Sequence, residues 1–121
     1  MYKVVLVEDD ATMLSLLSTL LEFEGYEPVP IEGDRRLEDL LGVVRQEKPA
    51  LVLLDVQLGS FNGLDLLRAI RSDPNLKHTR VLMSSGMDMR TECLRAGADG
   101  FAMKPYMPEE LIEQMQELLE A

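Results

Sequence analysis

The sequence predicts an α/β fold: a single doubly wound, five-stranded parallel sheet with helices on both faces. Three observations point to it. Short apolar runs alternate five times with stretches whose leucines recur at three- and four-residue steps, and strand-helix alternation of this kind builds parallel sheets joined by right-handed crossovers. One of those runs, Leu51-Val52-Leu53-Leu54, is apolar at every position, as a strand buried on both faces must be. It leads straight into a lone carboxylate, Asp55, and the carboxyl edge of such sheets is where ligands bind. By position alone Asp55 is as well suited to ending the strand or capping the next helix as to chemistry.

The elements follow in order. Residues 3–7 form a β-branched apolar run that ends in Glu8-Asp9-Asp10. Met13, Leu14, Leu17, Leu20 and Leu21 then mark one face of a helix, which Gly25 stops. Residues 26–31 are a weaker strand, and Pro28 and Pro30 within it argue for a sheet edge because proline cannot donate to a ladder. Asp34 is a candidate cap for a second helix with Leu37, Leu40, Leu41 and Val44 as its stripe, in which Gly42 costs about 1 kcal/mol relative to alanine. After the central strand, with turn signals at Gly59 and Asn62-Gly63, Leu64, Leu66, Leu67 and Ile70 predict a third helix ended by Asp73-Pro74. Residues 80–84 are the fourth strand, 88–96 a short helix stopped by Gly97, and 101–103 the fifth strand. Pro108 suits the first turn of a last helix whose buried face is Leu111, Ile112, Met115, Leu118 and Leu119.

Composition narrows the function. A chain of 121 residues is one domain, able to bury roughly two-thirds of its unfolded surface. With 22 acidic against 12 basic residues the net charge is -10, which repels phosphate backbones and anionic membranes, so no direct nucleic-acid or membrane partner is expected. Cys93 is the only cysteine, so neither an internal disulfide nor a zinc cluster is expected. The amino terminus has no basic stretch followed by a long apolar one, and no segment approaches eighteen apolar residues. A cytoplasmic location is the expectation.

The topology also places the polar residues. Every strand of a parallel sheet ends on the same edge, so Glu8, Asp9 and Asp10, then Asp55, then Ser84 and Ser85, then Lys104 gather there. Clustered carboxylates raise one another's pKa unless a cation sits between them, and Mg²⁺ takes one or two carboxylates plus phosphate oxygens while keeping several waters. A lysine ammonium and a serine hydroxyl complete a set suited to phosphoryl transfer onto an aspartate nucleophile.

These residues resemble, over essentially the whole chain, the receiver domains of two-component response regulators of the chemotaxis-receiver type. The motifs are Val7-Glu8-Asp9-Asp10 after the first strand, Leu54-Asp55 with Asn62-Gly63 in the following turn, Ser85-Gly86 after the fourth strand, and Gly97-Ala98-Asp99-Gly100-Phe101 leading into Lys104-Pro105. The resemblance implies a flavodoxin-like strand order 2-1-3-4-5 and a receiver (phosphoacceptor) domain spanning residues 1–121. It implies that Asp55 accepts a phosphoryl group from a sensor histidine kinase or phosphotransfer protein. Mg²⁺ would be held by Asp9 directly, Glu8 through water, Asp55 and the backbone carbonyl of Gln57. Asp10, one place beyond the acidic pair, is read as a helix cap. Lys104 would pair with the phosphoryl oxygens across a cis bond to Pro105. Ser85, preferred over Ser84 by its interval from Asp55, would be the switch hydroxyl drawn to the phosphoryl group, and Phe101 the aromatic that turns inward in response. Such a domain is a signalling module that assists its own phosphorylation and dephosphorylation rather than a metabolic enzyme. Its partner on the output side is a downstream protein or output domain, and a homodimer is compatible with it. A phosphorylation-independent interaction module of the same fold is the alternative.

Other classes fit less well. A haloacid-dehalogenase-type phosphatase needs a second aspartate two places after the first, where Gln57 stands. A P-loop switch needs Gly-x-x-x-x-Gly-Lys-Ser/Thr where Glu8-Asp9-Asp10 would repel phosphates. A flavin site would need aromatic stacking, and the chain has no Trp and three Tyr. Departures from the family pattern carry expectations too. Leu58-Gly59 replaces the common Met-Pro, which predicts a freer loop. The segment from Ser85 to Lys104 is a few residues short, which predicts a truncated fourth helix. Met87, Met89, Met103, Tyr106 and Met107 cluster around it and are expected to be core fillers. His78 is expected in a solvated loop, Cys93 packed and inert, and Gln57 is expected to tune the lifetime of an acyl phosphate.

Overall fold

The computed structural model describes residues 1–33, 35–59 and 61–120. Five strands, β1 (Lys3–Glu8), β2 (Glu27–Glu32), β3 (Leu51–Asp55), β6 (Arg80–Ser85) and β7 (Gly100–Met103), form one parallel sheet in the order β2-β1-β3-β6-β7. That is the 2-1-3-4-5 order the resemblance implies. A two-stranded antiparallel hairpin, β4 (Gln57–Leu58) and β5 (Phe61–Asn62), lies beside it. The helices are α1 (Ala11–Phe23), α2 (Leu37–Glu47), α3 (Gly63–Ser72), α4 (Arg90–Arg95) and α5 (Pro108–Glu120).

Strand alternation divides the core in two, because successive side chains point to opposite faces. Val4, Leu6, Leu51, Leu53, Leu82 and Ala102 pack with Leu14, Leu17 and Leu21 of α1 and Leu111, Ile112 and Met115 of α5. On the other face Val5, Val7, Val52, Leu54, Val81, Met83 and Phe101 pack with residues of α2, α3 and α4. The central strand is buried at all five positions, Asp55 included. Pro28 and Pro30 stand two apart on β2, which is an edge strand, so neither takes a bond from the ladder.

Helix ends follow local chemistry. Asp10 Oδ1 accepts from the N–H groups of Thr12 (2.9 Å) and Met13 (3.2 Å), the capping role its position suggests. Asn62 caps α3 through Leu64 N–H at 2.8 Å. Gly25 (φ +88°) and Gly97 (φ +106°) hold left-handed conformations just past α1 and α4, as the stop signals require. The expected cap Asp34 lies outside the described residues. Arg36 stands at the N-cap of α2 without a side-chain capping bond, and Lys48 takes the left-handed C-cap position at φ 47°. The short helix spans six residues, narrower than the 88–96 expected, with Asp88 Oδ1 accepting from Arg90 N–H at 3.4 Å before it.

One expectation is corrected. Met87, Met103 and Met107 are 62, 50 and 58 % exposed, so they are not core fillers. Met87 and Met107 sit in connections and Met103 ends an edge strand, where no helix covers them. Met89 and Tyr106 do pack against the core. Leu58 is 5 % exposed, pairs with Phe61 and lies so close to Gly33 that a Cβ there would meet its Cδ2. Cys93 is buried, and burial followed by the charge of Glu92 pushes its thiol up to about 11. His78 is exposed. Among the described residues no helix is long and apolar enough to cross a membrane.

Two stability predictions follow from these contacts. Gly42 sits inside α2 with nothing within 4 Å of where a Cβ would be. Gly42→Ala is expected to stabilise the fold by about 0.5–1 kcal/mol, raising the urea midpoint at unchanged slope; a lowered midpoint would contradict it. The second prediction concerns buried Asp73. Arg45 Nε at 2.6 Å, helped by Asn75 N–H at 2.9 Å, holds the Asp73 carboxyl below its ordinary 3.8. A lowered folded-state pKa means stabilisation that is present above 3.8 and lost as pH falls through the folded value. The stability gap between the native chain and Asp73→Asn should therefore be widest at neutral pH and close in acid; a gap independent of pH would refute the linkage.

Candidate functional site

The carboxyl edge of the sheet collects one group from each of four strand ends. Glu8 closes β1, Asp55 closes β3, Ser85 closes β6, and Lys104 follows β7. Backbone bonds continue the parallel pattern past the strands: Lys104 N–H donates to the Ser85 carbonyl at 2.8 Å, and Val56 N–H to that of Ser84 at 2.8 Å. The Lys104-Pro105 bond is cis. Gly63 is required beneath the site, since a Cβ there would collide with the Asp55 carbonyl oxygen and the Val56 backbone.

Glu8 and Asp55 are only 4 and 5 % exposed. Lys104 Nζ bridges them, 2.6 Å from Glu8 Oε1 and 3.2 Å from Asp55 Oδ2. Glu8 Oε2 accepts from Asp10 N–H at 3.2 Å, and Asp55 Oδ1 from Gln57 N–H at 3.4 Å. Asp9, which is exposed, brings a third carboxylate, and ligand oxygens of Glu8, Asp9 and Asp55 all lie within 4.8 Å of one another. Partial burial, then the hydrogen bond and charge of Glu8, hold the Asp9 carboxyl above its ordinary value. Burial pulls the Lys104 ammonium down, but the bond to Glu8 and the charges of Asp55 and Glu8 outweigh it, so its pKa stands above that of a free lysine.

The charges do not balance. Three carboxylates face one ammonium, an excess of two negative charges at a partly buried edge. Burying one unpaired carboxylate costs several kcal/mol, so a hard divalent cation with oxygen ligands fits this cluster well. Glu8, Asp9 and Asp55 are the residues able to hold it.

The other expected residues are placed as follows. Ser85 is fully buried; its Oγ donates to Gln57 Oε1 at 2.8 Å and accepts from Met87 N–H at 3.0 Å. Ser84 is also buried and stands beside Asp55 in the β3–β6 register. Phe101 is packed inward at 1 % exposure, with the Arg90 guanidinium 5.8 Å from its ring centroid. Sequence reasoning did not anticipate the Gln57 side chain as the partner of Ser85, although its place two residues after Asp55 had marked it. Nothing in the pattern signals Arg90 over Phe101.

Comparison with known proteins agrees with this geometry. The family model of the response regulator receiver domain matches residues 4–116. The DNA-binding response regulator MtrA of Mycobacterium tuberculosis is 32% identical over 114 residues, covering 94% of this chain and 49% of MtrA. The transcriptional regulatory protein CpxR homolog of Haemophilus influenzae is 37% identical over 121 residues, covering 98% of this chain and 51% of its own length. The chain thus spans about half the length of the curated relatives it matches. Among solved structures, a CheY-like response regulator receiver domain protein from Methanospirillum hungatei superposes with a TM-score of 0.87 at 29% identity, over 99% of this chain and 94% of that one. Matched from its first strand into its last helix, the chain belongs to the response regulator receiver domains of two-component systems.

Proposed function

We propose that this chain, over residues 1–121, is a phosphoacceptor domain in which Asp55 takes a phosphoryl group from a phosphohistidine of a sensor kinase or phosphotransfer protein. An Asp55 carboxylate oxygen attacks phosphorus, the N–P bond of the donor breaks, its electron pair stays on the imidazole, and an acyl phosphate forms. The observation that carries this reading is the charge imbalance: the excess of two negative charges among Glu8, Asp9, Asp55 and Lys104 is the complement of Mg²⁺. Bound there, Mg²⁺ would neutralise charge developing on the transferring phosphoryl oxygens. Glu8, Asp9, Asp55 and the backbone carbonyl of Gln57 are its proposed ligands.

Lys104 holds Asp55 in place through the 3.2 Å contact and keeps its positive charge, so it is ready to pair with phosphoryl oxygens. Asp55 itself is mounted on a strand buried at every position, which fixes the nucleophile without ordering cost at the moment of transfer. Ser85 is the proposed switch hydroxyl and Phe101 the aromatic that reads its position. The domain assists its own phosphorylation and dephosphorylation. It works in the cytoplasm, between a kinase and an output domain or downstream protein.

The test is direct. Incubation with a small acyl-phosphate donor and Mg²⁺ is expected to add one phosphoryl group, labile to hydroxylamine, and Asp55→Asn is expected to abolish it. Labelling that persists in Asp55→Asn would show that the acceptor is another residue. A native chain that takes no label from such a donor would make it an interaction module instead.

A further inference from the structure

Ser85 has one hydroxyl proton, and that proton is already committed. Oγ accepts from Met87 N–H at 3.0 Å, so its hydrogen is directed at Gln57 Oε1, 2.8 Å away. On its other side the same amide donates from Nε2 to the Met89 sulfur at 3.6 Å, a weak acceptor at the N-cap of α4. Gln57 therefore ties the loop after the phosphoacceptor strand to the end of β6 and to the start of α4 at once. We propose that Gln57 is a positioning residue that competes with the phosphoryl group for the Ser85 proton, holding the switch and Met89 in the resting arrangement until Asp55 is modified.

The inference rests on Asp55 as acceptor and Ser85 as switch hydroxyl. Given those, a hydroxyl with one proton cannot donate to Gln57 and to a phosphoryl oxygen together, so occupancy of the site must break the Gln57 bond. The cost is modest. Gln57 is exposed, so its freed carbonyl finds water, and one net hydrogen bond weighs about a factor of ten or less in an equilibrium. A charged phosphoryl acceptor forms a bond roughly twice as strong as a neutral amide does, so it wins the competition without making the change irreversible. The released amide no longer holds Met89, whose side chain packs against the core cluster that contains Phe101. A polar exchange at the sheet edge is thereby connected to α4.

A double-mutant cycle tests this with trifluoroberyllate and Mg²⁺ as the phosphoryl mimic, their affinity measured by calorimetry on the full chain. In the native background Gln57→Ala should tighten binding about 3- to 10-fold, the weight of one hydrogen bond released in advance. In the Ser85→Ala background the same substitution should leave affinity unchanged, because the competition it relieves is gone. An equal effect in both backgrounds would overturn the proposal, since Gln57 would then act without Ser85. No binding by the native chain would instead overturn the phosphoacceptor reading, and this proposal with it. Methyl NMR gives a second readout, with the Met89 signal assigned through Met89→Leu. That signal should move when the mimic binds the native chain and stay in place when it binds Ser85→Ala; movement of equal size in both would also overturn the latch.

Discussion

Two carboxylates buried at the edge of a hydrophobic sheet are the constraint on which this molecule turns. Glu8 and Asp55 stand at the ends of neighbouring strands, each almost wholly removed from water, and a charge so placed costs several kcal/mol unless it is met. Lys104 meets both, although it is 96 residues from one and 49 from the other in sequence. Only the parallel order β2-β1-β3-β6-β7, with all strands ending on one side, brings them together. The crossovers, the two apolar faces and the close approach at Gly63 are therefore conditions for the site as well as for the fold.

Lys104 also sets the terms on which the site works. One ammonium leaves the three-carboxylate cluster under-neutralised, and the Asp9 carboxyl is raised by partial burial first and then by the hydrogen bond and charge of Glu8. A fully balanced cluster would have no use for a divalent cation, whereas a cluster without the lysine would expose Asp55 to the full repulsion of Glu8. The intermediate arrangement holds Asp55, the proposed nucleophile, in position and keeps a standing demand for positive charge next to it. Stability and reactivity are thus set by the same few atoms, as they commonly are where pKa values are perturbed.

Much of this was legible in the chain. Runs that are apolar at every position, Val4 to Val7 and Leu51 to Leu54, with helical periodicity between them, are enough to read strands buried on both faces of a parallel sheet, and parallel topology delivers the polar strand ends to one edge. The Gly25 and Gly97 stops and the Asp10 cap are short-range features, and short-range features read well. Longer-range packing did not. Whether Met103 or Met107 is covered depends on which elements lie over it, and the period of a pattern carries no information on that. Lys48 adopts a left-handed cap that glycine usually supplies, and no glycine in the sequence announces it there. The burial of Leu58 against Gly33 joins two segments far apart in sequence, a contact that no local pattern announces. The Ser85–Gln57 bond belongs to the same class of contacts.

The position of Phe101 bears on what can move. Its ring lies in the core with 1 % exposure, it carries no hydroxyl to draw it toward water, and burying such a side chain is worth roughly 1.5–3 kcal/mol. Turning it out would forfeit that energy with no polar gain in return, and the Arg90 guanidinium above the ring adds a further attraction. The inward aromatic is therefore firmly held, and it shares its core cluster with Met89, which packs against it from the start of α4. The groups with nearly balanced alternatives in the proposed switch are polar ones at the sheet edge: a hydroxyl that donates to Gln57 and would donate to a phosphoryl oxygen instead, and an exposed amide that water can satisfy. A switch built on them needs only the difference between two hydrogen bonds, which a single new charge at Asp55 is large enough to supply.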